Sequence, residues 1–191
     1  MLVTNVLLAG VGGQGVVLAS ELLALAAIAA GHDAKQGEFH GVAQRGGTVF
    51  SHVRFGDQVF SPTTRRGEVD FLLALEKLEA LRYAHFVRPG GAILVNDHEI
   101  EPIRTGDVRP YPKRAVVFLK SKGFAVRVIK ATEIAVELGN HRAANVVMLG
   151  ALARQLDIPA EVWDRILRDR IPQPLLELNR KAFEAGRQMG Q

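Results

Sequence analysis

The 191-residue chain contains no cysteine. It can form no disulfide and can offer no thiolate to an iron–sulfur cluster. It also lacks an apolar run of membrane-spanning length. The longest, Val16 to Ala30, is interrupted by Ser20 and Glu21, short of the roughly 20 residues a spanning helix needs. No basic stretch precedes that run, so it does not read as a signal peptide, and the expected compartment is the cytoplasm. No basic stripe interleaved with aromatic residues is present, which argues against a nucleic-acid partner. His32, His40 and His141 are too scattered for metal-ligand spacing, so no metal site is expected. No internal repeat or low-complexity segment is visible.

What is present fits a folded α/β protein. Hydrophobic residues make up 48% of the chain, enough for a substantial core. The formal charge of +4 is spread along the chain, with small clusters at Arg65-Arg66 and Lys113-Arg114. The ordinary reading is a solvated surface. The functional one is attraction to an anionic cofactor or an acidic electron carrier.

Asn5 to Ala9 is a short apolar run, read as a buried parallel strand. Gly10 to Gly15 is a tight turn. Val16 to Ala30, apolar all round, is a buried helix stopped by Gly31. Asp33 to Phe39 reads as extended, Thr48 to Phe55 as a strand, and Gly56-Asp57-Gln58 as a hairpin turn into Val59-Phe60. Val69 to Leu75 is a central strand and Glu76 to Phe86 a helix. Pro89-Gly90-Gly91 ends that helix, and Ala92 to Val95 is another strand. Pro112 to Lys122 reads as a helix with Pro112 at its first position. Ala125 to Ile129 is a strand, and Thr132 caps a helix to Leu138. From His141 onward the chain is helical, with breaks at Pro159, Pro172 and Pro174. The expectation is one domain over residues 1–191: a three-layer α/β core (1–138), its mostly parallel sheet covered by helices on both faces, then a helical C-terminal arm (139–191).

Gly10, Gly12 and Gly15 spell G-x-G-x-x-G between a strand and a helix. Glycines let the backbone turn sharply and approach a ligand closely, and the amides at the helix start favour a pyrophosphate. A dinucleotide fold also wants an acidic residue at the end of its second strand. Asp33 falls at the start of that strand instead. Gly13 and Gln14 make the turn more particular than the generic fingerprint. The competing reading is simple close packing of helix on strand. A second stretch, Glu38-Phe-His-Gly-Val-Ala-Gln-Arg-Gly-Gly47, sets His40, Gln44 and Arg45 among glycines. His40 is a group that titrates near neutral pH, and Arg45 suits a carboxylate or phosphate. Packing against a neighbouring subunit accounts for this loop equally well.

In order along the chain stand the Gly10–Gly15 turn, His-Gly-x-Ala-Gln-Arg-Gly-Gly at 40–47, and Ser51-His-Val-Arg-Phe-Gly56. Ser61-Pro62, the Val69–Leu75 strand with Glu76, and Asn145-Val-Val-Met-Leu-Gly-Ala-Leu152 follow. This set resembles the gamma-type domain of the 2-oxoacid:ferredoxin oxidoreductases over nearly the whole chain. The 40–47 motif, with Asn96-Asp97 and Ile100-x-Pro102 after a strand, is similar to the indolepyruvate subgroup. Phe39 and Val42 depart from it slightly. The resemblance implies a small subunit, inactive alone, of an enzyme that decarboxylates aryl 2-oxoacids, reduces ferredoxin and forms an acyl-coenzyme A. It implies that thiamine diphosphate and 4Fe-4S clusters sit on a large alpha subunit. The lack of cysteine agrees. Gly106-Asp107 likewise lacks the glycine and downstream Asn of a thiamine diphosphate motif.

By the same resemblance Gly10, Gly12, Gly13, Gln14 and Gly15 face coenzyme A or the alpha-subunit active site. Arg45, Ser51 and Arg54 are assigned to phosphate or interface contacts. His40, Gln44, Gly46, Gly47 and Asn145 belong to an interface or site loop. For Asn145, satisfying a buried loop backbone is the stronger expectation. His85 and His98 read as ordinary helix-end and loop residues, and Trp163 as core. Three alternatives stay open: a gamma subunit for pyruvate, ketoisovalerate or 2-oxoglutarate, a stand-alone dinucleotide-binding protein, and an adaptor without a ligand site.

Overall fold

The computed structural model describes residues 3–40, 47–101 and 110–189. Six strands form one sheet in the order β2-β3-β1-β4-β5-β6. They are β1 (Val3–Val11), β2 (Asp33–His40), β3 (Thr48–Gly56), β4 (Val69–Ala74), β5 (Val87–Asn96) and β6 (Ala125–Ile129). β1, β4, β5 and β6 pair in parallel, while β3 runs antiparallel to both β1 and β2.

The strands alternate between two cores. Val6 and Leu8 of β1 face one side with Leu73 and Leu94. Leu7 and Ala9 face the other with Leu72, Ala74, Ile93 and Val95. The first side is covered by α1 (Val16–Ala29), α4 (Ala131–Glu137), α5 (Ala144–Ala153), α6 (Ala160–Arg170) and α7 (Gln173–Met189). The second is covered by α2 (Lys77–Tyr83) and α3 (Ala115–Ser121). This is the expected three-layer arrangement with a mostly parallel sheet. None of the described helices is long and apolar enough to cross a membrane.

α1 is buried on most of its surface, as its composition requires. It ends where expected: Gly31 takes φ 94°, its N–H donates to Ile28 O, and the His32 N–H donates to Ala27 O. That paired arrangement closes the last carbonyls of a helix. The C-terminal helices follow the α/β core and lie on it. α5 is buried from Asn145 through Ala153, and α7 crosses it at backbone contact. A Cβ on Gly150 would stand 2.0 Å from Phe183 O, and one on Gly186 would stand 1.9 Å from Val147 O. Trp163 is buried and packs on Phe183 with ring centroids 5.2 Å apart.

Four local expectations need correction. Val59-Phe60 is no strand. The Val59 N–H donates to Asp33 Oδ2, and the rest of the 57–68 segment is held by Asn5, His52 and Arg54 side chains of the sheet, so no ladder partner is needed. Pro89-Gly90-Gly91 lies inside β5, at an irregularity in its pairing with β4. There Gly91 has Val69 O at 2.9 Å from its would-be Cβ, leaving no room for a side chain. Pro112 stands ahead of α3; its carbonyl accepts the Ala115 N–H, so the helix begins at Ala115. Thr132 is not a cap. It is the second residue of α4, and its hydroxyl accepts from Asn96 Nδ2.

Beside α2, the second face of β2 and β3 carries a cluster of rings. Phe39 stacks on Phe50 at 4.9 Å, and His52 meets Phe39, Phe50 and Phe86 edge-on. Nδ1 of His52 accepts a long bond of 3.4 Å from the Thr64 N–H. Burial first, and the charge of Arg54 second, lower its pKa to about 4.

Two outcomes are expected. Alanine normally improves a helix interior over glycine. Here Gly150→Ala or Gly186→Ala should lose about 3 kcal/mol or more in urea unfolding, because the helices cannot separate without uncovering their core. His52 should titrate by NMR near pH 4. Between pH 6.5 and 4 the unfolded chain binds a proton that the folded chain refuses, so stability falls on acidification through that window. His52→Phe should flatten that part of the pH profile.

Candidate functional site

β1 and β4 are parallel neighbours whose chains leave in opposite directions, β1 into α1 on one face and β4 into α2 on the other. In open α/β sheets such a switch point leaves a crevice beyond the carboxyl ends of the strands. A cleft of about 570 Å³ lies there, within the range of small-molecule sites.

Its near wall is the glycine turn. Gln14 ties this wall together: Oε1 accepts the Val11 N–H at 2.7 Å, and Nε2 donates to Leu75 O at 3.0 Å. The Gly12 N–H donates to Gly47 O, joining the turn to the start of β3. Gly10 must be glycine because a Cβ there would meet Val16 Cγ2 at 2.8 Å and Gln14 Oε1 at 2.9 Å. Gly15 takes φ 78° and is the N-cap of α1, with Asn145 Nδ2 only 2.3 Å from a would-be Cβ. Gly13, with φ 99°, has open space on its side-chain face. A ligand can therefore approach the turn backbone at Gly13.

The far wall comes from loops after β5 and β6 and from the start of α5. Asn96, buried at the end of β5, donates from Nδ2 to Leu75 O and Thr132 Oγ1, while Oδ1 accepts the Thr132 N–H. Asn145 donates to Gly15 O at 3.1 Å, and its Oδ1 accepts the Val146 N–H. Leu75, His98, Ile100, His141, Arg142 and Ala144 complete the lining. Among the described residues no acidic side chain lines this cleft, and Arg142 supplies a cation, so the arrangement suits an anionic ligand.

Of the residues singled out from sequence, Gly12, Gly13, Gln14 and Asn145 line the cleft. Gly10 and Gly15 shape its floor, and Gly47 touches Gly12. Asn145 satisfies a buried loop carbonyl, as expected, and is also part of the wall. His40 ends β2 and pairs with Val49, at the same end of the sheet. Gln44, Arg45 and Gly46 lie outside the described residues. Ser51 and Arg54 are not at the cleft. Ser51 is fully buried on the α1 side of β3, level with Leu8. Arg54 pairs in register with Asn5, about 20 Å down the sheet from the turn at roughly 3.3 Å per residue. There it donates to Asn5 Oδ1 and to the carbonyls of Ser61 and Thr63. Its direction follows from β3 running antiparallel, which carries each later residue away from the turn.

His98, Thr132, His141 and Arg142 were not assigned to a site from sequence. The signal for them is positional: they follow the carboxyl ends of β5 and β6 or precede α5. The dinucleotide arrangement, in contrast, is absent. The strand beside β1 is the antiparallel β3, and Asp33 sits at the opposite end of the sheet, bonded to Lys35 and the Val59 N–H.

The model of the pyruvate ferredoxin/flavodoxin oxidoreductase family matches residues 5–189. The chain belongs to that family. It is 35% identical to the indolepyruvate oxidoreductase subunit IorB of Pyrococcus horikoshii, over 95% of this chain and 93% of that protein. It is 37% identical to the subunit of the same name from Archaeoglobus fulgidus, over 95% and 92%. Among solved structures it resembles the gamma subunit of a keto/oxoacid ferredoxin oxidoreductase from Geobacter sulfurreducens. The TM-score is 0.75 at 26% identity, covering 98% of each chain. The chain is thus a subunit of an oxidoreductase of the 2-oxoacid:ferredoxin type.

Gln14→Ala removes partners from the Val11 N–H and the Leu75 carbonyl. Thermal unfolding should show a loss of about 1–3 kcal/mol, larger than for Gly13→Ala, whose cost is confined to backbone strain of about 1 kcal/mol.

Proposed function

We propose that this chain is the small subunit of an indolepyruvate:ferredoxin oxidoreductase, acting in the cytoplasm with a large alpha subunit. The reaction would be oxidative decarboxylation of an aryl 2-oxoacid to the aryl-acetyl-coenzyme A, with electrons passed to ferredoxin. The observation that carries the aryl assignment is the identity to indolepyruvate oxidoreductase subunits over almost the full length of both chains. In this reading residues 1–191 act as one domain.

The residues present divide the cofactors. A chain without cysteine cannot hold a 4Fe-4S cluster through thiolates, so the clusters are assigned to the partner. Thiamine diphosphate is assigned there too, on the lack of its motif. The cleft fits a phosphate-bearing group: a turn open at Gly13, the unpaired amides of the first turn of α1, and Arg142 opposite. Coenzyme A, when bound, supplies the thiol that takes up the acyl group. Gly13 and the α1 start would hold its phosphates, with Arg142 as counter-charge, while Gly12, its N–H taken by Gly47 O, shapes the turn. Gln14 and Asn145 act indirectly, since their amides are already committed to the backbone.

Purification from the native host should yield the chain with a large, cysteine-rich, thiamine-dependent subunit. That complex should reduce ferredoxin with indolepyruvate and coenzyme A, and the isolated chain should do neither. Activity of the lone chain, or its tight binding of NAD(H) or FAD, would overturn the proposal.

A further inference from the structure

Directly behind the far wall of the cleft stands a buried carboxylate. Glu76 follows the end of β4 and is fully buried. Its Oε2 accepts the Glu79 N–H at 3.0 Å, capping α2. Its Oε1 accepts the Ile100 N–H at 3.2 Å and the hydroxyl of Tyr111. Tyr111 is itself buried, and its oxygen accepts the Leu78 N–H at 3.1 Å. The neighbouring loop is fixed by further bonds of the same kind. The Lys77 N–H donates to His98 O, and Lys77 Nζ pairs with Asp97 and Glu99.

Two of the residues so fixed, His98 and Ile100, line the cleft. A helix of two turns does not need a fully buried carboxylate for its cap; serine or aspartate serves as well. What the longer glutamate adds is reach, and its second oxygen is spent on Ile100 and Tyr111. We infer that Glu76 and Tyr111 form a positioning pair that sets the 97–100 wall of the cleft, and with it the affinity for the anionic thiol co-substrate. This rests on the reading of the cleft as the coenzyme A site. Neither side chain lines the cleft, so the pair acts through the Ile100 N–H that Glu76 holds, with His98 held beside it by the Lys77 N–H. Burial, and then the hydrogen bond to Glu76, push the Tyr111 phenol well above its ordinary range, so it stays a donor at any working pH.

The test uses the complex with its large subunit. Tyr111→Phe removes one hydroxyl and keeps the ring. It should raise KM for coenzyme A five- to tenfold, with kcat and the KM for the 2-oxoacid within twofold of wild type. Glu76→Gln should raise the same KM by a smaller factor, and it carries the test if Tyr111→Phe fails to assemble. An unchanged KM for coenzyme A in assembled complexes, or a fall in kcat with all KM values held, would make the pair merely structural and overturn the inference. Gly13→Glu separates the two layers, because it fills the open face of the turn with a negative charge. If Gly13→Glu raises the KM for coenzyme A and the Tyr111 and Glu76 variants leave it unchanged, only the positioning role falls. If Gly13→Glu leaves it unchanged, the coenzyme A reading of the cleft falls, and the inference with it.

Discussion

Two parallel strands that part company at their ends leave backbone groups no ladder can pair, and buried groups of that kind must be satisfied by something else. Here the carbonyl of Leu75 takes that strain. It accepts from Gln14 on the β1 side and from Asn96 on the β5 side, filling both lone pairs of one oxygen. Gln14 at the same time closes the Val11 N–H. The ends of β1, β4 and β5 are therefore locked by two amide side chains through a single peptide. Gly10 follows from this lock, since any side chain there would displace the Gln14 oxygen or Val16. So does the position of Glu76, which begins its own network one residue after that peptide.

The opposite constraint comes from the far end of the sequence. Asn145 reaches the carbonyl of Gly15 across 130 residues, and the amide sits so close that only glycine fits beneath it. Asn145 can be there because α5 is buried on every side, held by α7 at two glycine contacts. The C-terminal helices thus hold the residue that packs over Gly15. The close contacts at Gly150 and Gly186 seat the same helix that carries Asn145.

Periodicity made the layered fold readable. Apolar runs marked β1, β4 and β5, and the uniformly apolar Val16–Ala30 stretch with Gly31 marked α1 and its stop. Errors arose where local chemistry had a second use. Val59 looks like a returning strand, but it is buried with its N–H satisfied by Asp33 and not by a ladder. Pro89-Gly90-Gly91 looks like a stop but is accommodated where β4 and β5 slip in register. At the site, the glycine turn announced itself. His98 and His141 did not, because forty-three residues separate them in sequence and only the strand order brings them to one cleft. Arg54 is the reverse case: it lies in a motif of the family, yet the direction of β3 carries it to the other end of the sheet, away from this cleft.

The same strand order decides between two readings of one glycine motif. In a dinucleotide fold the second strand lies beside the first and delivers an acid to the ribose. Here the chain runs past that place to the edge, and β3 returns antiparallel into the gap. His40 and Gly47, the ends of the motif-bearing segment, then emerge at the mouth of the glycine turn, where a ribose-binding acid would otherwise stand. The exchange replaces an acceptor of hydroxyls with the start of β3, whose Gly47 carbonyl is already taken by the Gly12 N–H. With Arg142 in the lining and no acidic side chain among the described residues that line the cleft, its charge suits an anionic group better than the hydroxyls of a ribose.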